Sequence, residues 1–150
     1  MKEALTIIVP IYNERDNLER LEKELANYLT IATKPAQVLL VNDGSTDQSL
    51  RMIQEICKRQ AAFDYLSFVK NCGLSAAIKA GFDAANTAWV GYIDSDLQTD
   101  PEDFNKLLAH ADEYALVTGV RTNRKDDFVK NISSKIANGI RRAFTHENSW

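Results

Sequence analysis

Four apolar runs, each ending abruptly in polar side chains, constrain this chain more than any other feature. Leu5-Thr6-Ile7-Ile8-Val9-Pro10-Ile11 runs into Tyr12-Asn13-Glu14, and Val38 to Val41 runs into Asn42-Asp43-Gly44-Ser45. Tyr65 to Val69 leads to Asn71-Cys72-Gly73, and Trp89 to Ile93 to Asp94-Ser95-Asp96. Continuous apolar, β-branched segments of this length are strands covered on both faces. Pro10 is expected to close the first one.

The segments between them read as helices. Leu18, Leu21, Leu25, Tyr28 and Leu29 recur at helical spacing within residues 14–30, and Leu50, Ile53 and Ile56 form a second apolar face with Ser45 or Thr46 as its N-cap. Leu74, Ala77, Ile78, Gly81, Phe82 and Ala85 predict a third helix whose small residues let it lie close on a sheet. Pro101 opens a fourth that runs to about residue 112, with Asp100, Glu102 and Asp103 as its acidic first turn, and Ala115 to Val120 reads as a fifth strand. Strands alternating with helices imply an α/β fold, a mainly parallel sheet with helices on both faces. In such sheets the binding crevice lies at the carboxyl ends of the strands, so all four polar clusters are expected along one edge.

At 150 residues the chain suffices for one domain with a core and is too short for two of ordinary size. It contains no apolar run of about 18 residues that could span a membrane, and its start lacks the apolar segment of a signal peptide. Cys57 and Cys72 are spaced neither as a metal knuckle nor as a disulfide framework, so packing roles in a reducing cytoplasm are expected. His110 and His146 read as surface residues. The net charge of −3 conceals a gradient: residues 121–142 carry seven Lys and Arg against two Asp, leaving −7 on residues 1–120. A basic segment on an acidic body suits an anionic partner.

Asp94 and Asp96, with Gln98 two residues on, cluster oxygen ligands at a strand end. A hard cation such as Mg²⁺ or Mn²⁺ takes such ligands and would there hold phosphate oxygens. The alternative is an ordinary acidic turn and helix cap. No G-x-G-x-x-G follows the first strand and no P-loop is present, which disfavours a dinucleotide-binding domain.

In their order and spacing over residues 5–119, Val9-Pro10-Ile11-Tyr12-Asn13-Glu14, Val41-Asn42-Asp43-Gly44-Ser45-Thr46-Asp47, Asn71-Cys72-Gly73 with Ala77 and Gly81, and Asp94-Ser95-Asp96 resemble the motifs of the inverting glycosyltransferases of family 2, which have the GT-A fold. The resemblance implies that Pro10, Tyr12, Glu14, Asp43, Asn71, Gly73 and Asp94 bind a nucleotide-sugar, with Asp43 accepting a base N–H. It makes Asp94 and Asp96 the D-x-D element, catalytic through the metal, with Gln98 able to join its shell. Asp-x-Asp-Leu-Gln and the Gly119-x-Arg121 pattern are similar to the dolichyl- and undecaprenyl-phosphate sugar synthases within the family. That similarity implies a polyprenyl phosphate acceptor met by Arg121, as a catalytic residue, with Lys130 and Ser134 as its companions. Phe128, Ile132, Ile136 and Ile140 recur every fourth residue beside those cations, as in an interfacial helix at the cytoplasmic face of an anionic membrane; a helix packed on the sheet is the alternative.

The whole chain is then expected to be one family 2 catalytic domain, its donor-binding part, cut short on the acceptor side. The donor is GDP- or UDP-linked, since an aspartate can accept from the ring N–H of either base. No nucleic-acid partner is expected, and the sequence sets no oligomeric state. Two other readings stand beside this one: transfer to a saccharide or other hydroxyl, and a nucleotide-sugar-binding fragment without turnover.

Overall fold

The first strand is buried along its whole length because it has neighbours on both sides. The computed structural model describes residues 4–119. In it β1 (Leu5–Ile11), β2 (Ala36–Asn42), β3 (Phe63–Ser67) and β4 (Trp89–Tyr92) form one sheet in the order β3-β2-β1-β4, with every pairing parallel. Helices α1 (Leu18–Ile31), α2 (Ser49–Arg59), α3 (Leu74–Ala84) and α4 (Asp103–Leu108) alternate with the strands.

The two-residue period of a strand sorts the core into two layers. Leu5, Ile7, Val9 and Ile11 point to one face, where they meet Val38, Leu40 and Phe63 and the apolar sides of α1, α2 and α4. Tyr28 of α1 and Phe104 of α4 pack there with ring centroids 6.0 Å apart. Ile8, Leu39 and Val41 point the other way, onto Ala77 of α3. A Cβ at Gly81 would lie 2.6 Å from Ile8 Cγ2, so the glycine lets α3 settle on the sheet. Helices therefore cover both faces, as the alternation of elements implies.

Several boundaries differ from expectation, each for a tertiary reason. The first strand continues through Pro10 to Ile11. The third lies two residues earlier than its apolar run suggests, because β2 ends at Asn42 and its register partner is Ser67, leaving Val69 exposed. The second helix begins at Ser49 with Gln48 as N-cap; Ser45 and Thr46 are engaged elsewhere. Cys57 packs on the core as expected, but Cys72 is exposed on a loop. The expected fifth strand is absent over residues 115–119, where Leu116 is 74% exposed and no strand among the described residues pairs with them; a β-branched run needs such an edge to become a strand. Val120, Arg121, Lys130, Ser134 and the whole basic segment lie outside the described residues.

Candidate active site

The chain adds β2 and then β3 on one side of β1 and returns to place β4 on the other, so the connections diverge between β1 and β4. That switch of direction is where open α/β sheets form their crevice. Pro10 widens it. The even positions of β1 face β4, as the bonds from Trp89 N–H to the Ala4 carbonyl and from Ile93 N–H to the Ile8 carbonyl show. Proline has no N–H to continue that ladder, and pairing with β4 stops at Ile8 opposite Tyr92. On the β2 side the odd residues carry the bonds, so that edge remains intact through Ile11 opposite Asn42.

A cavity of about 330 Å³ occupies this opening. It gathers Pro10 from the end of β1, Tyr12 and Glu14 from the loop that follows, Asp43 from the loop after β2, Asn71 and Gly73 from the loop before α3, and Asp94 and Asp96 from the loop after β4. Four loops far apart in sequence thus bring their polar residues to one place. Gln98 is not part of the lining; its backbone N–H donates to Asp96 Oδ1 at 3.1 Å. Ile11, Leu74, Ala77 and the buried Ser95 also line the cavity. Sequence reasoning did not single out those four, although each adjoins or belongs to one of the motifs.

Asp43 is only 3% exposed, and its carboxylate binds the neighbouring loop. Oδ1 accepts from the Cys72 N–H at 2.7 Å, while Oδ2 accepts from the Gly73 N–H at 2.9 Å and from Asn71 Nδ2 at 3.1 Å. These bonds hold the start of α3 against the cavity, with Gly73 at φ +94° as its N-cap. Asn42 braces the same region, donating through Nδ2 to Ser67 Oγ and accepting from the Ser45 N–H.

A second tie joins the loops after β1 and β2. Asn13 adopts φ +54°, a left-handed conformation that asparagine tolerates better than most side chains. Its Oδ1 accepts from the N–H groups of Thr46 at 2.8 Å and Asp47 at 3.3 Å, and its own N–H donates to Ser45 Oγ. The Glu14 N–H donates to Ser49 Oγ, and Asp47 accepts from the N–H groups of Ser49 and Arg15. Burial would raise the Asp47 carboxyl, but these Ser49 and Arg15 interactions together hold it below its ordinary value. This interlock keeps Ser45 and Thr46 from capping α2. No short-range pattern announces it, because its partners are more than thirty residues apart.

In the loop after β4, Leu97 also has a positive φ, +52°, with its N–H donating to the Asp94 carbonyl at 3.3 Å. Such strain in a residue other than glycine is a feature of functional loops. The turn aims Asp94, Ser95 and Asp96 at the cavity. Among the described residues no group of three or more His, Cys, Asp or Glu could hold a metal unaided. Two carboxylates nevertheless suit Mg²⁺ or Mn²⁺, which commonly binds through one or two carboxylates and completes its shell with substrate phosphate and water.

Residues 6–149 match the family model described as "Glycosyl transferase family 2". The chain belongs to glycosyltransferase family 2. Among its curated relatives is the undecaprenyl-phosphate 4-deoxy-4-formamido-L-arabinose transferase of Klebsiella pneumoniae subsp. pneumoniae, 33% identical over 140 residues, or 92% of this chain and 43% of the relative. The protein of the same description from Klebsiella pneumoniae strain 342 is 32% identical over the same share. The chain thus spans less than half the length of the curated relatives it matches. Solved structures share the fold. A Pyrobaculum calidifontis mannosyltransferase, solved in complex with GDP-Man and Mn²⁺, superposes with a TM-score of 0.63 at 21% identity, covering 75% of this chain and 34% of that one. TarS residues 1–349 from S. aureus superpose with 0.58 at 24% identity, covering 85% and 40%. The fold is that of the GT-A glycosyltransferases, as the motifs imply. No helix among the described residues is long and apolar enough to cross a membrane.

Proposed function

We propose that this chain is the donor-binding part of an inverting, metal-dependent glycosyltransferase that moves a sugar from a nucleotide-sugar to a polyprenyl phosphate. The observation that carries the reading is the convergence of Asp43, Asn71, Gly73, Asp94 and Asp96 on one cavity at the point where β1 and β4 diverge. The acceptor is inferred from the undecaprenyl-phosphate transferases that the chain resembles over 92% of its length.

Each part of the cavity has a chemical task in this reading. Tyr12, 46% exposed at the mouth, offers a ring face to a base, and the Asp43 carboxylate accepts a base N–H. The amino end of α3 provides backbone N–H groups and the positive end of the helix dipole to a diphosphate. Asp94 and Asp96 would hold Mg²⁺ or Mn²⁺, which when bound supplies charge neutralisation for the departing nucleoside diphosphate. A phosphate monoester, with a second pKa near 6, is already an anion at neutral pH. Its oxygen can attack the anomeric carbon from the face opposite the diphosphate, forming one C–O bond as the other breaks and inverting the centre. No proton need be removed from such a nucleophile, so catalysis reduces to alignment and to stabilising the leaving group. Arg121, Lys130 and Ser134 remain the proposed acceptor-side residues.

Calorimetric titration in the presence of Mn²⁺ tests the donor site. UDP or GDP is expected to bind, and Asp96→Ala is expected to weaken that binding at least about tenfold, since loss of even an outer partner of a metal ligand costs about 10–100-fold in metal affinity. Unchanged binding by the variant removes Asp96 from the metal site. In the full-length enzyme, transfer to a polyprenol but never to its phosphate would refute the acceptor.

A further inference from the structure

We propose that Asn105 is a positioning residue for the metal end of the cavity: its side-chain amide ties α4 to the end of α1 and so keeps the turn at Leu97 in the left-handed form that presents Asp96. The proposal rests on the donor-site reading above and deepens it by naming a residue outside the cavity lining on which that end depends.

α4 is six residues long, and a helix that short does not persist without tertiary support. Its buried Phe104 and Leu108 supply the apolar part of that support. The Phe104 ring lies over Gly91 of β4, where a Cβ would stand 2.5 Å from Cε1, and it packs beside Tyr28. Asn105, half-buried, supplies the polar part. Its Oδ1 accepts from the Thr33 N–H at 3.0 Å, from Thr33 Oγ1 at 3.2 Å and from the Tyr28 hydroxyl at 3.3 Å, and its Nδ2 donates to the Ile31 carbonyl at 3.1 Å. A backbone N–H only donates and a carbonyl only accepts, so these partners fix which way the amide faces. Ile31 ends α1, and its carbonyl has no partner within that helix. Turning the amide away therefore forfeits bonds at both of its ends.

What this clamp holds is a strained loop. Upstream, the loop after β4 is fixed by the bond from the Ile93 N–H to the Ile8 carbonyl, and downstream it runs into α4. Between those ends Leu97 has φ +52°, with its side chain packed against the core. A residue other than glycine stays in that region only where its surroundings over-determine it. Asp96 depends on the same turn, because its Oδ1 accepts from the Gln98 N–H at 3.1 Å, a bond that spans Leu97. If α4 leaves the end of α1, Leu97 can relax to a negative φ, the Gln98 N–H turns away and Asp96 loses its orientation. Asp43, at the base end, is held by other bonds, to the loop before α3, and is not affected.

Calorimetry on the full chain tests the assignment, with UDP and GDP each titrated once with Mn²⁺ and once with EDTA. The readout is the gain in affinity that Mn²⁺ gives to the nucleotide that binds. Asn105→Ala is expected to shrink that gain about tenfold, as loss of an outer partner of a metal ligand does, while the affinity in EDTA stays unchanged. Adding Leu97→Asn to Asn105→Ala is expected to recover part of the gain, since asparagine adopts the left-handed region without the clamp. Should Asn105→Ala fail to fold, Asn105→Asp, which keeps the acceptor for Thr33 and loses the bond to Ile31, is expected to give a smaller loss of the same kind. A Mn²⁺ gain that either folded variant leaves unchanged overturns the proposal and spares the donor-site reading. So does an equal fall of the affinities in Mn²⁺ and in EDTA, the result of a role in folding alone. If neither nucleotide binds the unsubstituted chain, or Mn²⁺ adds nothing to binding there, the donor-site reading fails and the proposal with it.

Discussion

A methyl group on residue 44 would sit 2.2 Å from the carbonyl carbon of Lys70 and 2.4 Å from the nitrogen of Asn71, and the residue also has φ +66°. Both facts exclude a side chain: the backbone angle disfavours it, and the space is filled by main chain that cannot rotate aside. Gly44→Ala is therefore expected to destabilise the protein by about 2–4 kcal/mol, read as a lower urea midpoint. It should also weaken nucleotide binding, because the displaced Lys70–Asn71 backbone leads directly into the loop that Asp43 holds. An unchanged midpoint would contradict the contact. The turn at Gly44 was legible from Asn42-Asp43-Gly44-Ser45 alone, but the reason no other residue fits was not, because it comes from a segment twenty-six residues away in the chain. The same limit applies to Asp43, whose place on the polar loop after β2 was readable while its three bonds to the loop at Asn71–Gly73 were not. Asn13 is the extreme case: its tie to Thr46 and Asp47 depends on a left-handed backbone that the sequence does not announce.

Between elements, α1 and the end of α2 are joined by Glu22, which accepts from Arg59 Nε at 2.8 Å and from Gln60 Nε2 at 3.1 Å. The hydrogen bonds from Arg59, helped by Gln60 and by the guanidinium charge, outweigh the cost of partial burial and hold the Glu22 carboxyl below its ordinary value of 4.5. Because the folded-state value is depressed, the unfolded chain binds more protons in the interval between the two values, so stability rises with pH there. The contribution is complete above about pH 4.5 and is lost as the pH falls through the lower, folded-state value. Glu22→Gln should flatten this part of the acid-unfolding profile and cost about 1–2 kcal/mol at pH 7. A profile with unchanged slope would show that Arg59 does not hold Glu22 in solution. Helices such as α1 were readable because their apolar spacing is a local property: Leu18, Leu21, Leu25 and Tyr28 are all buried. Strand limits were less so. The end of β3 is set by the end of β2, and Ala115–Gly119 does not become a strand despite its composition, because pairing depends on a partner edge.

At the scale of the molecule, every strand–loop–helix unit sends its polar loop to the same cavity, so the binding site and the folded sheet depend on the same contacts. The order of the strands makes this so. β1 is central, the loops after β1 and β2 are interlocked through Asn13, Asp43 fastens the loop before α3, and the loop after β4 closes the cavity where Pro10 ends the pairing. A ligand bridging these loops has little affinity for the unfolded chain, and its binding energy then adds to folding. With free UDP at 100 times its dissociation constant and Mn²⁺ present, the gain is about 2.7 kcal/mol. For a chain of this size that corresponds to a rise in Tm of roughly 5–10 °C. The rise should shrink when Mn²⁺ is chelated, and more so for a diphosphate than for uridine alone, since the Asp94–Asp96 end of the cavity is assigned to the metal and the phosphates. Uridine should keep whatever stabilisation Asp43 provides. If chelation leaves the UDP shift unchanged while Asp43→Ala abolishes it, nucleotide binding depends on the base end alone, and Asp94 and Asp96 serve the turn after β4 rather than a diphosphate.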